Sequence, residues 1–296
     1  MAFPSLQKST IVRIKQSGIR SAFRTLEVAA PSLGARWAER FWFAITPSRI
    51  TPSVPGGTPF EVTSQGGTVR GTRWGSGPVV YLVHGWGGNA SQLGSFVTPL
   101  VAAGFSVVAH DAPSHGLSDP GPTGAGSSDG VQMGKALDDV AAVFGPGHAV
   151  IAHSMGGLAT GLALQHGWLG TGRVVMIAPA IRIRDYVDVV QTGLGFGPRT
   201  LRRLEERVLR RVGLPIVAVD LHRIADLIER PELLVIHDPS DRETPYASAA
   251  SLVSQWEGAH LTTVEGLGHR RVLRDPAIIR QVVAFVATDE LQEESA

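Results

Sequence analysis

The chain has 296 residues, a length that suits one α/β domain carrying an insertion. Its formal net charge is +1 with 18% charged residues, so no overall electrostatic field favours nucleic acid as a partner. Cysteine is absent, which excludes disulfide bonds, thiol catalysis and thiolate metal sites.

Residues 1–57, called the arm below, are predicted to form helices followed by a linker. Eight basic residues against two acidic ones lie between positions 1 and 50. Apolar residues recur at near-helical spacing, namely Ile11, Ile14, Ile19, Phe23 and Leu26, before "RWAERFWF" and the breaker "TPSRITPSVPGGTP". We expect the arm to pack on the domain; peripheral contact with a membrane or with a partner protein is the alternative. No apolar run reaches the roughly 18 to 20 residues that cross a bilayer, and no signal-peptide pattern is apparent, so a cytoplasmic location is expected.

Short apolar runs that alternate with helix-like segments predict the fold class. A glycine-punctuated hairpin, "TPFEVTS" and "GGTVRGTRWG", begins at residue 58. The apolar runs that follow cover residues 79–83, 105–110, 148–153, 173–178, 232–237 and 260–266. Strands buried on both faces and separated by helices are typical of a mostly parallel sheet wrapped by helices. We therefore predict an α/β core formed by residues 58–180 and 232–290.

Residues 181–231, called the insertion below, interrupt this alternation without a convincing strand. They contain "TGLGFG" and the arginine-rich helical run "RTLRRLEERVLRR". In a doubly wound sheet, a segment that follows the carboxyl end of a strand lies over the ligand-binding crevice, so we predict a helical lid. Glu205 and Glu206 lie within pairing distance of the arginines along the helix, which favours a solvated helix face.

The segment "AHSMGG" places Ser154 between an apolar strand and a predicted helix, the context that a nucleophile elbow requires. The alternative is a polar residue in an ordinary turn. Small residues are needed two positions before and two after the serine, because the chain turns too sharply for larger side chains. Ala152 and Gly156 occupy these positions. The strict pattern has glycine at the first, and alanine adds one methyl group.

The segment "VVYLVHGWGG" predicts a second part of a site at the same sheet edge. Gly85 permits a tight turn after the strand, so that the backbone amide of Trp86 can point into the crevice. Together with the amide of Met155, it would hold a tetrahedral oxyanion. We expect His84 to brace this loop. A glycine-rich turn without an electrostatic task is the alternative interpretation.

A serine nucleophile requires a base that an acid orients. His269 follows a strand-like run and two loop glycines in "VEGLGHRRVL", whereas His153 is expected to pack or to hydrogen-bond the backbone. The loop "HDPSDRETP" offers Asp238, Asp241 and Glu243 as acids. Asp241 is favoured because it stands farther from the strand end, with Asp238 as the alternative. The resulting chain order of serine, aspartate and histidine agrees with this sheet architecture.

The sequence resembles the α/β-hydrolase superfamily over about residues 58–287. The resemblance is carried by "HGWGG" at 84–88, "DAPSHGLSD" at 111–119, "AHSMGG" at 152–157, "HDPSDRETP" at 237–245 and "GLGH" at 266–269. It implies that Ser154 is the nucleophile, Asp241 the acid and His269 the base, with an oxyanion hole at Trp86 and Met155. Ser114 stands where the superfamily usually has glycine.

The resemblance implies a serine hydrolase without cofactor, and the expected substrate is a small to medium, mainly apolar carboxylic ester. A serine nucleophile argues against the dehalogenase branch, which uses aspartate. Thioester, amide or carbon–carbon bond hydrolysis and perhydrolase chemistry stay open on the same triad, as does a non-catalytic ligand-binding protein. The spacing of the histidines predicts no metal site, and the sequence does not indicate an oligomeric state.

Overall fold

An eight-stranded sheet organises the chain, and the computed structural model describes residues 10–288, with side chains from residue 17 onward. The strands are β1 (Thr58–Ser64), β2 (Gly67–Trp74), β3 (Val79–Val83), β4 (Ser106–His110), β5 (Gly147–His153), β6 (Thr171–Ile177), β7 (Glu232–His237) and β8 (Ala259–Thr263). Their order is β1-β2-β4-β3-β5-β6-β7-β8. β2 is antiparallel to β1 and to β4, and the other neighbours are parallel.

Helices cover both faces of this sheet. Within the described residues they are α1 (Thr10–Ala29), α2 (Pro31–Phe43), α3 (Val97–Ala102), α4 (Gly130–Phe144), α5 (Met155–Gln165), α6 (Ile183–Leu194), α7 (Pro198–Val212), α8 (Leu221–Ala225), α9 (Tyr246–Gln255), α10 (Gly268–Arg271) and α11 (Pro276–Val286). The same part of the chain, residues 10–288, contains three short 3-10 helices at Ala90–Phe96, Ile216–Ala218 and Val272–Arg274.

The two faces of β5 show how the core is divided. Ile151 packs in the cluster that includes α3 and α11, whereas Val150 and Ala152 point to the opposite face, toward α4 and α5. Successive side chains of a strand point to opposite faces, so a strand covered on both sides has a continuous apolar run. The predicted fold class, a mostly parallel sheet flanked by helices, is confirmed.

The arm packs on the insertion, chiefly through α2 against α7. The Phe23 ring lies 5.8 Å from that of Phe196, between centroids. The Glu27 carboxylate accepts hydrogen bonds from the amides of Gly197 and Thr200 at 3.0 and 3.1 Å, and so caps the N-terminus of α7. The side chains of Ile11 and Ile14 lie outside the described residues. Along residues 10–288, no helix is both long enough and apolar enough to pass through a membrane.

The arginines of α7 are predicted to form a solvated helix face, and the structure agrees with this prediction only in part. Arg203 pairs with Glu206 at 2.9 Å along the helix, as expected. Arg207 instead forms an ion pair with Glu39 of α2. The guanidinium carbon of Arg211 lies 3.8 Å from the centroid of the α2 ring of Phe43. The prediction was wrong for these two arginines because it considered α7 alone, whereas α2 covers this part of it.

Candidate active site

Ser154 occupies the sharp turn between β5 and α5, with φ of 54° and ψ of −121°. A positive φ is strained for a residue that carries a Cβ, and such strain is typical of nucleophile elbows. A Cβ at Gly156 would lie 2.5 Å from the carbonyl oxygen of Val83, so only glycine fits there. Ala152 is fully buried in register with Val83. The extra methyl group at 152 is therefore accommodated in the core.

Asp241 and His269 form a buried acid–base pair at the carboxyl edge of the sheet. Asp241 Oδ2 lies 2.8 Å from His269 Nδ1. The same carboxylate accepts a hydrogen bond from the Glu243 amide at 2.7 Å and one from the Thr244 hydroxyl at 2.8 Å. Burial alone would raise the pKa of Asp241, but hydrogen bonds from His237 and His269 and from the Glu243 amide hold that pKa well below its ordinary value. The carboxylate therefore stays ionised and orients the imidazole.

Asp238, the alternative acid, has a different position. Its Oδ2 accepts a hydrogen bond from the Gly268 amide at 2.6 Å, directly before His269. Its Oδ1 accepts from both the amide and the hydroxyl of Ser240 at 2.7 Å. Asp238 thus ties the loop after β7 to the loop that carries the histidine. The structure places Asp241, and not Asp238, against the imidazole.

His153 links the turn of Ser154 to His269. Its Nε2–H donates to the His269 carbonyl oxygen at 2.9 Å, and the two ring centroids lie 4.7 Å apart. Burial and the neighbouring His269 lower the pKa of His153 to about 3, so the ring is neutral. This agrees with the predicted packing and backbone hydrogen bonding of His153.

No hydrogen bond joins Ser154 to His269 within the described residues, and the two are linked through His153, which precedes Ser154 and contacts His269. Within residues 10–288, Ser154 Oγ has no hydrogen-bond partner. His269 Nε2 lies 3.8 Å from Glu243 Oε2. Catalytic hydrogen bonds are often long or misaligned without substrate and tighten only in the substrate complex.

The loop after β3 passes directly against the candidate nucleophile. A Cβ on Gly85 would lie 2.9 Å from the Ser154 Cβ, so glycine is needed for this close approach. Trp86 and Met155 border one cavity beside the serine. Met155 is the first residue of α5, where amides lack intrahelical carbonyl partners and carry the positive end of the helix dipole. Both predicted oxyanion donors therefore belong to segments that flank Ser154.

His84 braces this loop, as predicted. Its Nδ1–H donates to the Gly85 carbonyl oxygen at 2.7 Å, and its Nε2 accepts from the Ala112 amide at 3.0 Å. These two contacts select one neutral tautomer, and burial lowers the pKa of the ring. His84 joins the loop after β3 to the loop after β4.

A narrow apolar cavity of about 60 Å³ adjoins Trp86 and Met155. The core, the arm and the insertion all contribute to its wall, with Trp42, Phe43, Leu158, Tyr186 and Val208 among the lining residues. The arm is thus part of the cavity wall as well as a cover for the insertion.

Tyr186 supplies a polar atom in this apolar wall. The residue is 7% exposed, and its hydroxyl has no hydrogen-bond partner among the described residues. Burial, followed by the charges of Asp241 and Asp185, raises its pKa far above the ordinary value, so the hydroxyl keeps its proton. An unsatisfied buried hydroxyl is costly, and a ligand oxygen would satisfy it.

Sequence reasoning missed two neighbours of Asp241. His237 is fully buried with Nε2 3.4 Å from Asp241 Oδ2. Thr244 contacts both groups, with its hydroxyl 3.1 Å from His237 Nε2. Their spacing of four and three residues from Asp241 was the available signal, but it predicts a contact only once the loop is known to form a turn.

Two family models match the chain. The model described as serine aminopeptidase, S33, matches residues 76–231, which is more than half of the sequence, and the model described as TAP-like protein matches residues 217–296. No curated protein matches.

Solved structures are similar in fold at low sequence identity. Est1E from Butyrivibrio proteoclasticus, solved with ferulic acid, has 17% identity and a TM-score of 0.62, over 80% of this chain and 100% of that one. A monoacylglycerol lipase from Paleococcus ferrophilus has 22% identity and a TM-score of 0.56, over 74% and 98%. A membrane phospholipase A described as a bacterial virulence factor has 17% identity and a TM-score of 0.60, over 94% and 98%, a share that takes in most of the arm.

The sheet order, the strained turn after β5 and the loops that meet beside it define an α/β hydrolase. The chain belongs to the α/β-hydrolase superfamily and, through the model that matches more than half of it, to the serine aminopeptidase S33 family. This membership establishes the fold and the general class of hydrolase.

Proposed function

We propose that this hydrolase cleaves a small to medium, mainly apolar carboxylic ester through an acyl-enzyme intermediate. The observation that carries the proposal is the Asp241–His269 pair, 2.8 Å between Oδ2 and Nδ1, together with Ser154 in a strained elbow whose preceding residue, His153, contacts His269. The names monoacylglycerol lipase and phospholipase A among the similar structures support the same reaction class.

In the first half of the reaction, His269 removes the proton of Ser154 while the serine oxygen attacks the ester carbonyl carbon. The carbonyl oxygen becomes an oxyanion, which the amides of Trp86 and Met155 stabilise. When the intermediate collapses, the carbon–oxygen bond to the leaving alcohol breaks, and His269 donates its proton to that alcohol. Ser154 then carries the acyl group.

In the second half, water takes the place of the alcohol. His269 accepts a proton from water, whose oxygen attacks the acyl carbon, and the same two amides hold the second oxyanion. Collapse returns the proton to Ser154 and releases the carboxylic acid. Asp241 stays ionised throughout, because its hydrogen bonds hold its pKa low.

The apolar wall of the cavity supports the proposal that the acyl group of the ester is apolar and binds there. Trp42 and Phe43 of α2 face side chains of the insertion across this cavity, so the insertion and the arm together would act as a lid. The Tyr186 hydroxyl, which has no partner among the described residues, would donate a hydrogen bond to an oxygen of the bound ester. An apolar cavity with few polar groups is typical of sites that orient a small apolar ligand.

The test is hydrolysis of p-nitrophenyl esters, from acetate to palmitate, by the wild-type protein and by Ser154→Ala. We expect turnover by the wild type and its loss in the variant, with a preference for short to medium acyl chains. Ser254→Ala, an exposed serine in α9, is the matched control and should keep full activity.

Labelling of Ser154 by a fluorophosphonate separates the remaining alternatives. Stoichiometric labelling without ester turnover would move the proposal to a thioester, amide or carbon–carbon substrate on the same serine. Absence of both labelling and turnover in a folded protein would favour a ligand-binding role, and turnover by folded Ser154→Ala would refute the assigned nucleophile.

A further inference from the structure

The outward face of α2 carries a stripe of large apolar side chains. Leu33, Trp37 and Phe41 follow one another at a spacing of four residues and are 41%, 41% and 46% exposed. Side chains at this spacing lie on one side of a helix. Phe23 of α1 supports the stripe from below, with its ring 6.2 Å from Trp37 and 6.4 Å from Phe41 between centroids. The stripe is therefore a fixed surface feature.

The exposed charges of α1 and α2 that form no ion pair within the described residues have one sign. Four exposed arginines of α1 and α2 form no ion pair within the described residues: Arg20, Arg24, Arg36 and Arg40. The two acidic residues of α1 and α2 are turned toward the insertion instead, where Glu27 caps α7 and Glu39 pairs with Arg207. The outward surface thus combines apolar side chains with uncompensated positive charge.

The opposite face of the same helix borders the substrate cavity. Trp42 and Phe43 are buried and line that cavity, directly after the exposed Phe41. One helix therefore separates the apolar stripe from the cavity. A surface in contact with the stripe would therefore lie one helix away from the cavity.

We propose that the outward face of α2 docks on an anionic phospholipid surface, and that the ester substrate reaches the cavity from that surface. Aromatic and aliphatic side chains insert at the membrane interface while arginines contact anionic headgroups. A second copy of the chain fits poorly, because a two-fold contact through this face would place the same arginines against each other. Delivery of the ester rests on the proposed function, whereas docking does not.

The test is co-sedimentation of the full-length Ser154→Ala protein with vesicles of phosphatidylcholine alone or with 30% phosphatidylglycerol. We expect binding to the anionic vesicles that falls at least tenfold between low and high salt, and at least tenfold in Trp37→Ser/Phe41→Ser. Arg36→Glu/Arg40→Glu, which keeps the apolar stripe, should lose binding to the same extent. Leu227→Ser, an exposed apolar residue of the insertion that is 67% exposed, is the matched control and should bind as the parent does.

Three outcomes would overturn the proposal. The first is that the parent protein fails to bind the anionic vesicles, and the second is that the α2 variants bind them as well as the parent does. The third is that sedimentation without vesicles shows dimers of the parent that Trp37→Ser/Phe41→Ser does not form. The same α2 substitutions are also made in the protein that keeps Ser154. These variants should hydrolyse soluble p-nitrophenyl acetate at a rate within twofold of wild type, which also shows that the variants fold. Docking is measured on Ser154→Ala and hydrolysis on a soluble ester, so a failure of the docking proposal can be distinguished from a failure of the proposed function.

Discussion

The Asp238 carboxylate accepts a hydrogen bond from the Gly268 amide at 2.6 Å, so the acid that does not face the imidazole fixes the loop that carries it. Asp241 then orients the ring itself at 2.8 Å. Two carboxylates three residues apart thus control the position of His269 in different ways, one through the backbone and one through Nδ1. Their substitutions should differ accordingly.

Asp238→Ala should lower kcat by up to about 100-fold, because a small displacement of the histidine loop misaligns the base. Asp238→Asn keeps an oxygen that can accept from the Gly268 amide, so it should recover most of kcat. The measurement is steady-state hydrolysis of a p-nitrophenyl ester by both variants. Equal losses in the two variants would contradict a role in positioning the loop.

Asp241→Asn should lower kcat by about 10³- to 10⁴-fold, because the amide selects the wrong tautomer of His269 and cannot stabilise an imidazolium. KM should change little, since Asp241 lies behind the ring and does not line the cavity. Single-turnover kinetics with the acetate ester would measure the acylation step. A variant within tenfold of wild type would assign the acid to another residue.

Tyr186→Phe should raise the free energy of unfolding by about 1 kcal/mol, because it removes a buried hydroxyl that has no partner among the described residues. The same change should lower kcat/KM about tenfold if that hydroxyl donates to the bound ester. Urea denaturation and ester kinetics on one preparation would measure both effects. Unchanged kcat/KM in the stabilised variant would show that the hydroxyl does not contact substrate.

Stability should decrease as the pH falls below 6.5, because burial lowers the pKa values of His110, His115 and His153 to about 3. In the unfolded chain each ring takes up a proton near its ordinary pKa of 6.5, whereas the folded chain resists protonation until about pH 3. Their contribution is complete above pH 6.5 and is lost toward pH 3. Urea midpoints from pH 8 to 4.5 should show this slope, and His110→Gln should make it shallower.

Glu27→Ala should weaken the contact between the arm and the insertion by about 1 kcal/mol, because three amides at the start of α7 lose their acceptor. Hydrogen exchange at residues 197–200 should become faster. Glu27→Gln keeps one acceptor oxygen, so exchange there should be intermediate between wild type and Glu27→Ala. Unchanged exchange in Glu27→Ala would mean that the cap does not hold this end of the helix.

The core was predictable because its signals are local. The runs that became β3, β5 and β7 are apolar on both faces, and Ser154 stands between a strand and a helix in the expected spacing. The sequence favoured Asp241 over Asp238 because Asp241 stands farther from the strand end. Only the structure shows the turn at 238–241 that brings Asp241 to the histidine. The prediction of a solvated face failed for Arg207 and Arg211 because their contacts are with α2, which lies far away in sequence.

The two faces of α2 have a practical consequence for protein engineering. A shortened version that begins at residue 46 would lack Trp42 and Phe43, both of which line the cavity. Such trimming, a common step when a protein is prepared for crystallisation or immobilised on a support, would widen the binding space and alter chain-length selectivity. For the same reason, libraries aimed at new acyl specificities should vary positions 42 and 43 together with the facing positions of the insertion.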